Sequence, residues 1–183
     1  SSQEMAAANA PGHFWMPVLE GDHVSTDCAV EQGEVKWMRS CHGEPAGNGM
    51  FRYWTLLEKG PSHTEAYLAD WVARHLAGYS GMLNLETIGG KIIEVHLRFS
   101  DQWCDLNGAG WIDAVVNLYA SCRWNWQEPR RRQGFSVPLF ARPDRTYRHP
   151  PDSAQRRILA MPEVASLQLT FHDGVEPGKH AMP

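Results

Sequence analysis

Residues 78–99 read GYSGMLNLETIGGKIIEVHLRF, and Asn84, Glu86, Glu94, His96 and Arg98 stand there among apolar neighbours on either side of Gly89-Gly90. Two apolar segments rich in β-formers around a Gly-Gly predict a β-hairpin. The strand period of two puts Glu94 and His96 on one face in any register, and Arg98 continues the row. If Ile88, Gly89 and Gly90 form a three-residue loop, Thr87 faces Lys91 and Asn84 faces Glu94, so Asn84 and Glu86 join that face. An amide oxygen, carboxylates, an imidazole and a guanidinium on one face suit a divalent cation with bound phosphates. Carboxylate and amide oxygens hold Mg²⁺, and the arginine neutralises phosphoryl oxygens. The same residues also suit a solvated sheet face with weak cross-strand ion pairs. The pattern alone does not decide between the two.

Such a hairpin needs a sheet around it and helices to back the sheet. HFWMPVL and DHVSTDCAV flank Glu20-Gly21, and EVKWMRSC follows the turn-like Glu31-Gln32-Gly33, which predicts a meander of short antiparallel strands. FRYWTLLE reads as a further strand. Ser62-His63-Thr64-Glu65 has the form of a capping box, so a helix is expected to start there. Tyr67, Leu68, Trp71, Val72, His75 and Leu76 recur at helical spacing and Gly78 supplies a stop, giving a helix over 63–77. After the hairpin the sequence predicts a loop over 100–110. A second helix over 111–124 follows, with Ile112, Val115, Val116 and Tyr119 as its apolar stripe. GFSVPLFA and SLQLTF are later strand candidates, joined by a Pro-rich turn and a short helix over 153–160. The whole is expected to be a single α+β domain over 1–183, an antiparallel sheet covered by helices.

Composition narrows the function. With 43% hydrophobic and 21% charged residues, 183 residues suffice for one core. Seventeen Lys+Arg against 21 Asp+Glu leave a net charge of −4, which is no field for a nucleic-acid backbone. Arg130, Arg131 and Arg132 read as a solvated loop. Cys28, Cys41, Cys104 and Cys122 form no C-x-x-C pair, and there is neither a secretory leader pattern nor a membrane-spanning apolar run, so a reduced, cytoplasmic protein without a membrane partner is expected. The start SSQEMAAANAPG is small and polar without an initiator Met, the end GVEPGKHAMP is loop-like, and the chain is expected to be a piece of something longer.

Other chemistry finds less support. Nine histidines do not fall at helical zinc spacing, and Cys41-His42 lacks a nearby partner. GYSGM is an incomplete nucleophile elbow and reads better as a helix exit into a strand. The eight tryptophans could stack a planar ligand, but core packing is the reading we adopt.

The stretch GYSGMLNLETIGGKIIEVHLRF resembles the closing hairpin of the ATP-grasp superfamily, in which an acidic or amide metal ligand on one strand is followed by a Glu-x-Asn-x-Arg pattern on the next. VLEGDHVSTDCAVEQGEVKWM resembles an upstream segment of the same family, and the two lie in the family's order with a helix between them. The best-matching part is 14–99, and 100–183 resembles the C-terminal continuation of the biotin carboxylase-like and carboxylate-amine ligase branches. The resemblance implies the C-terminal portion of an ATP-grasp fold. It makes Glu94 the metal-bridging carboxylate, Asn84 the earlier metal ligand and Arg98 the phosphate-contacting arginine. It sets His96 where the family usually has Asn, Met16, Pro17, Val18 and Leu19 at the adenine-reading hinge, and His23 where a ribose-binding or structural Glu is common. Asp27 matches a recurrent, structural Asp. ATP and Mg²⁺ or, given His96, Mn²⁺ are the implied cofactors, a small-molecule carboxylate the substrate, and the rest of a longer chain or another subunit the partner. The implied reaction is ATP-dependent ligation of a carboxylate to an amine or thiol through an acyl phosphate. Since no GxGxxG or GxxxxGK[ST] occurs in the sequence, the chain alone is expected to be inactive. A non-catalytic nucleotide-sensing or subunit-contact module is the alternative.

Overall fold

The structure, a computed structural model, describes residues 17–47, 49–139 and 148–169. Among these the strands are β1 (His23–Glu31), β2 (Glu34–Gly47), β3 (Met50–Leu56), β4 (Gly81–Ile88), β5 (Lys91–His96) and β6 (Gly134–Ser136). They form one sheet in the order β5-β4-β1-β2-β3-β6 with antiparallel neighbours throughout. The helices are α1 (Ser62–His75), α2 (Cys104–Asn107), α3 (Trp111–Ser121) and α4 (Asp152–Leu159). The chain is thus an α+β fold, an antiparallel sheet with covering helices.

Strand alternation gives the sheet two different faces. Cys28, Val30, Leu83 and Leu85 point to one face and meet Leu68 and Val72 of α1 in a core from which water is excluded. Full burial of each such aliphatic side chain contributes about 1.5–3 kcal/mol. On the opposite face Ala29, Trp37 and Met82 pack under Trp111, Val115 and Leu118 of α3. Cys41 and Leu56 meet Trp103 beside them. Among the described residues the tryptophans therefore serve mainly as core, as expected.

Several local expectations need correction. The helix after Pro61 begins at Ser62 itself, with no side-chain cap, and Glu65 accepts a hydrogen bond from Ser40 Oγ at 3.3 Å. The box does not form because its glutamate is drawn to the sheet. In α3, Trp111, Ala114, Val115 and Leu118 are buried whereas Ile112, Val116 and Tyr119 are exposed. This helix is apolar on nearly every side, so periodicity offered two stripes, and the large Trp111 ring settles which one faces the sheet. The expected loop over 100–110 contains a 3₁₀ turn at Asp101–Trp103 and α2. Of HFWMPVL, residues 17–19 are not strand, and residues 166–169 of SLQLTF are not strand either, the remainder of both lying outside the described residues. Helix α4 matches the short helix expected near 153–160 within a residue.

Candidate active site

The hairpin turns on Gly89 and Gly90, both with positive φ (+56° and +76°), a conformation that glycine adopts without strain. The loop is therefore two residues long and not three, with Ile88 opposite Lys91 and Thr87 opposite Ile92. A regular ladder from there would set Ile93 opposite Glu86 and turn Glu94 to the other face. A bulge at this point prevents that. The pairing shifts between Glu86 and Thr87, so Glu86 lies opposite Glu94, Leu85 opposite Val95, and Asn84 opposite His96. Asn84, Glu86, Glu94 and His96 do share a face, but the expected pairing of Asn84 with Glu94 is replaced by Asn84 with His96.

β1 adds His23, Ser25 and Asp27 to this face, since Ser25 pairs with Glu86 and Asp27 with Asn84. Exposure rises along it. Asn84 is 1% exposed, while the side chains of His23 and Glu86 are 19% and 22% exposed and that of Glu94 is 56% exposed. The open end holds the titratable groups. Oxygens of Glu86 and Glu94 and a ring nitrogen of His96 all lie within 4.8 Å of one another. His96 Nε2 is 3.3 Å from Glu94 Oε1. His23 Nε2 is 2.8 Å from Glu86 Oε2, and the His23 hydrogen bond, helped by the charges of His96 and Arg98, holds the Glu86 carboxyl below the usual range against the effect of burial. Two carboxylates directly opposite each other on a sheet face destabilise it unless something cationic compensates. Such a donor set fits a divalent cation.

Below the cluster lies a buried polar row. Asn84 Nδ2 donates to Ser25 Oγ and to Asp27 Oδ1, both at 2.8 Å, and the Ser100 amide donates to Asp27 Oδ1 at 2.9 Å. The Asn84 amide nitrogen is thus committed to β1, while Asn84 itself lies opposite His96 on the face of the cluster. Burial pushes the Asp27 carboxyl up to about 7, although the Ser100 and Asn84 hydrogen bonds and the Arg98 charge pull the other way. Arg98, just past β5, has its charge felt by both Asp27 and Glu86. Arg39, opposite Asp27, is committed to architecture: it donates to Leu106 O at 3.2 Å, Asn107 Oδ1 at 3.1 Å and Arg132 O at 2.5 Å, pinning α2 and the segment at Arg132 to the sheet.

An aromatic wall borders the cluster. The His23 ring meets Phe51 edge-on at 5.0 Å and Trp54 at 5.4 Å, and Phe51 and Trp54 lie 4.3 Å apart. Gly43 makes room for it, because a Cβ there would stand 2.7 Å from Phe51 and 2.9 Å from Trp54. Of the expected hinge, Pro17 and Val18 are exposed, Val18 at 91%, Leu19 is half-buried, and Met16 lies outside the described residues. Sequence reasoning placed Glu86 on the face but outside the ligand set, and it did not find the aromatic wall. The first had no signal in the sequence, because a regular ladder from a two-residue turn would turn Glu94 away from Glu86, and nothing in the spacing marked the second. Among the described residues no helix is long and apolar enough to cross a membrane.

No protein-family model and no curated protein matches the chain. Solved structures do resemble it in part. A protein of Archaeoglobus fulgidus assigned to the ATP-grasp superfamily is 16% identical with a TM-score of 0.47, over 66% of this chain and 40% of that one. The biotin carboxylase domain of the Hydrogenobacter thermophilus 2-oxoglutarate carboxylase, solved with MgADP, ADP and bicarbonate, is 16% identical with a TM-score of 0.45, over 62% and 28%. An L-amino acid ligase of Bacillus licheniformis is 14% identical with a TM-score of 0.43, over 55% and 30%, so the chain spans less than half the length of each of the three.

Proposed function

We propose that the chain is the C-terminal part of an ATP-grasp enzyme, an ATP-dependent carboxylate ligase whose remaining wall is supplied by a longer chain or another subunit. The observation that carries this reading is the cluster of Glu86, Glu94 and His96 at the open end of the sheet, with Arg98 beside it. It is supported by the sequence pattern around the hairpin, which resembles that superfamily. Glu86, Glu94 and His96 would hold a divalent cation, Mg²⁺ or Mn²⁺, and the cation when bound neutralises phosphoryl charge. Arg98 adds a guanidinium to the oxygens of the transferred group. His23 fixes the Glu86 carboxylate at 2.8 Å, so the cluster is held in place before substrate arrives. In the reaction a carboxylate oxygen attacks the terminal phosphorus of ATP and the bond to ADP breaks. An amine or thiol then attacks the acyl carbon of the acyl phosphate, the bond to phosphate breaks, and the nucleophile gives up its proton to solvent. The chain's part is positioning and electrostatics.

The burial of Asn84 against Ser25 and Asp27 favours a second reading, a nucleotide-sensing module without turnover. Hydroxylamine trapping separates the two. The longer protein, given ATP, a divalent cation and a panel of amino acids and dicarboxylic acids, forms a hydroxamate in step with ADP if it makes an acyl phosphate. Nucleotide binding with no hydroxamate from any acid tested supports the sensing module.

A further inference from the structure

We infer that the cluster of Glu86, Glu94 and His96 selects a transition-metal ion over Mg²⁺, with His23 as the residue that positions Glu86. The inference deepens the divalent-cation part of the proposed function, and it stands on this chain's own donors. Mg²⁺ demands oxygen ligands and sheds water reluctantly, whereas imidazole suits Mn²⁺, Co²⁺ and Zn²⁺, with affinity rising along that series in mixed nitrogen and oxygen sites. Here one of three donors is a ring nitrogen, and the three donor atoms lie within 4.8 Å of one another.

Two further features of the fold point to a cation. The bulge after Thr87 and Ile92 sets two carboxylates face to face across the ladder, where both can offer oxygens to one ion. His23 lies outside the three donors, yet its Nε2 bonds Glu86 Oε2 at 2.8 Å while Phe51 and Trp54 hold its ring edge-on. A carboxylate ligand fixed by an imidazole, which is itself fixed by packing, has the form of an outer-shell support, and such partners typically govern metal affinity by about 10–100-fold.

The test uses the 183-residue chain and the metals alone, without nucleotide. Equilibrium dialysis should give Co²⁺ and Zn²⁺ affinities at least about tenfold above that of Mg²⁺. His96→Asn should lower Co²⁺ and Zn²⁺ affinity by about tenfold or more and leave Mg²⁺ within about twofold. His23→Ala should lower affinity for every metal by about tenfold, and His23→Gln, which keeps a donor for Glu86, should recover most of it. Pulsed electron paramagnetic resonance of bound Mn²⁺ in the unaltered chain should show coupling to a ring nitrogen, a readout that needs no variant to fold. Equal or tighter binding of Mg²⁺, absence of nitrogen coupling, or unchanged Co²⁺ binding in His96→Asn would overturn the inference. Those results would leave a Mg²⁺-dependent ligase standing, just as failure of the ligase assay would leave this metal preference standing.

Discussion

The Asp27 carboxyl should make the fold more stable as the pH falls from 8 toward 4. It is 4% exposed, and burial raises it from an ordinary 3.8 to about 7. Its folded-state value lies above its unfolded value, so between the two the folded chain holds a proton that the unfolded chain has released. At pH 8 the ionised carboxylate therefore costs the fold about 4 kcal/mol, at 1.36 kcal/mol for each tenfold. The cost falls to about 2 kcal/mol near pH 5.5 and vanishes below pH 4. Asn in its place keeps an oxygen to accept from Ser100 and Asn84 and carries no charge to desolvate. Urea unfolding of the unaltered chain and of Asp27→Asn at several pH values isolates the effect, because other titrating groups, Glu86 among them, cancel in the difference. Asp27→Asn should be the more stable by several kcal/mol at pH 8, and the gap should close by pH 4. A gap that is flat across this range would refute the reasoning that burial dominates this carboxyl.

Two other expectations are simpler to test. Gly43→Ala places a methyl 2.7 Å from the Phe51 ring, so the ring must move, and thermal melting should report a loss of about 1–2 kcal/mol; an unchanged midpoint would mean that the aromatic wall is loose. Calorimetric titration of this chain alone with Mg²⁺-ATP should show weak or no binding, since neither GxGxxG nor GxxxxGK[ST] occurs in its sequence; micromolar affinity would place the site elsewhere.

The legibility of this chain follows the strength of its local signals. The meander of β1 to β3 and helix α1 were readable because alternation and helical spacing there agree with the packing they produce, as Leu68 and Val72 on Cys28 and Leu85 show. The orientation of α3 was not, because Ile112 and Val116 are as apolar as Val115 and Leu118, and only the tertiary fit of Trp111 chooses between them. In the hairpin, the shared face of Glu94 and His96 follows from strand period alone. The place of Glu86 opposite Glu94 depends on a bulge, which leaves no mark in a hydrophobic pattern because Ile92 and Ile93 are the same residue. Asn84 illustrates the same limit from the other side. Its type suits a ligand, but its partners are Ser25 and Asp27, 59 and 57 residues away, and no local reading could have paired them.

In the longer protein of which we propose this chain to be a part, Glu94→Gln separates a metal-holding carboxylate from an ordinary surface one. Glu94 is 56% exposed and packs little of the core, so the melting temperature should stay within a few degrees of the unaltered protein while ATP turnover falls by about a hundredfold or more. Wild-type turnover in Glu94→Gln would contradict the assignment of this hairpin to phosphoryl transfer.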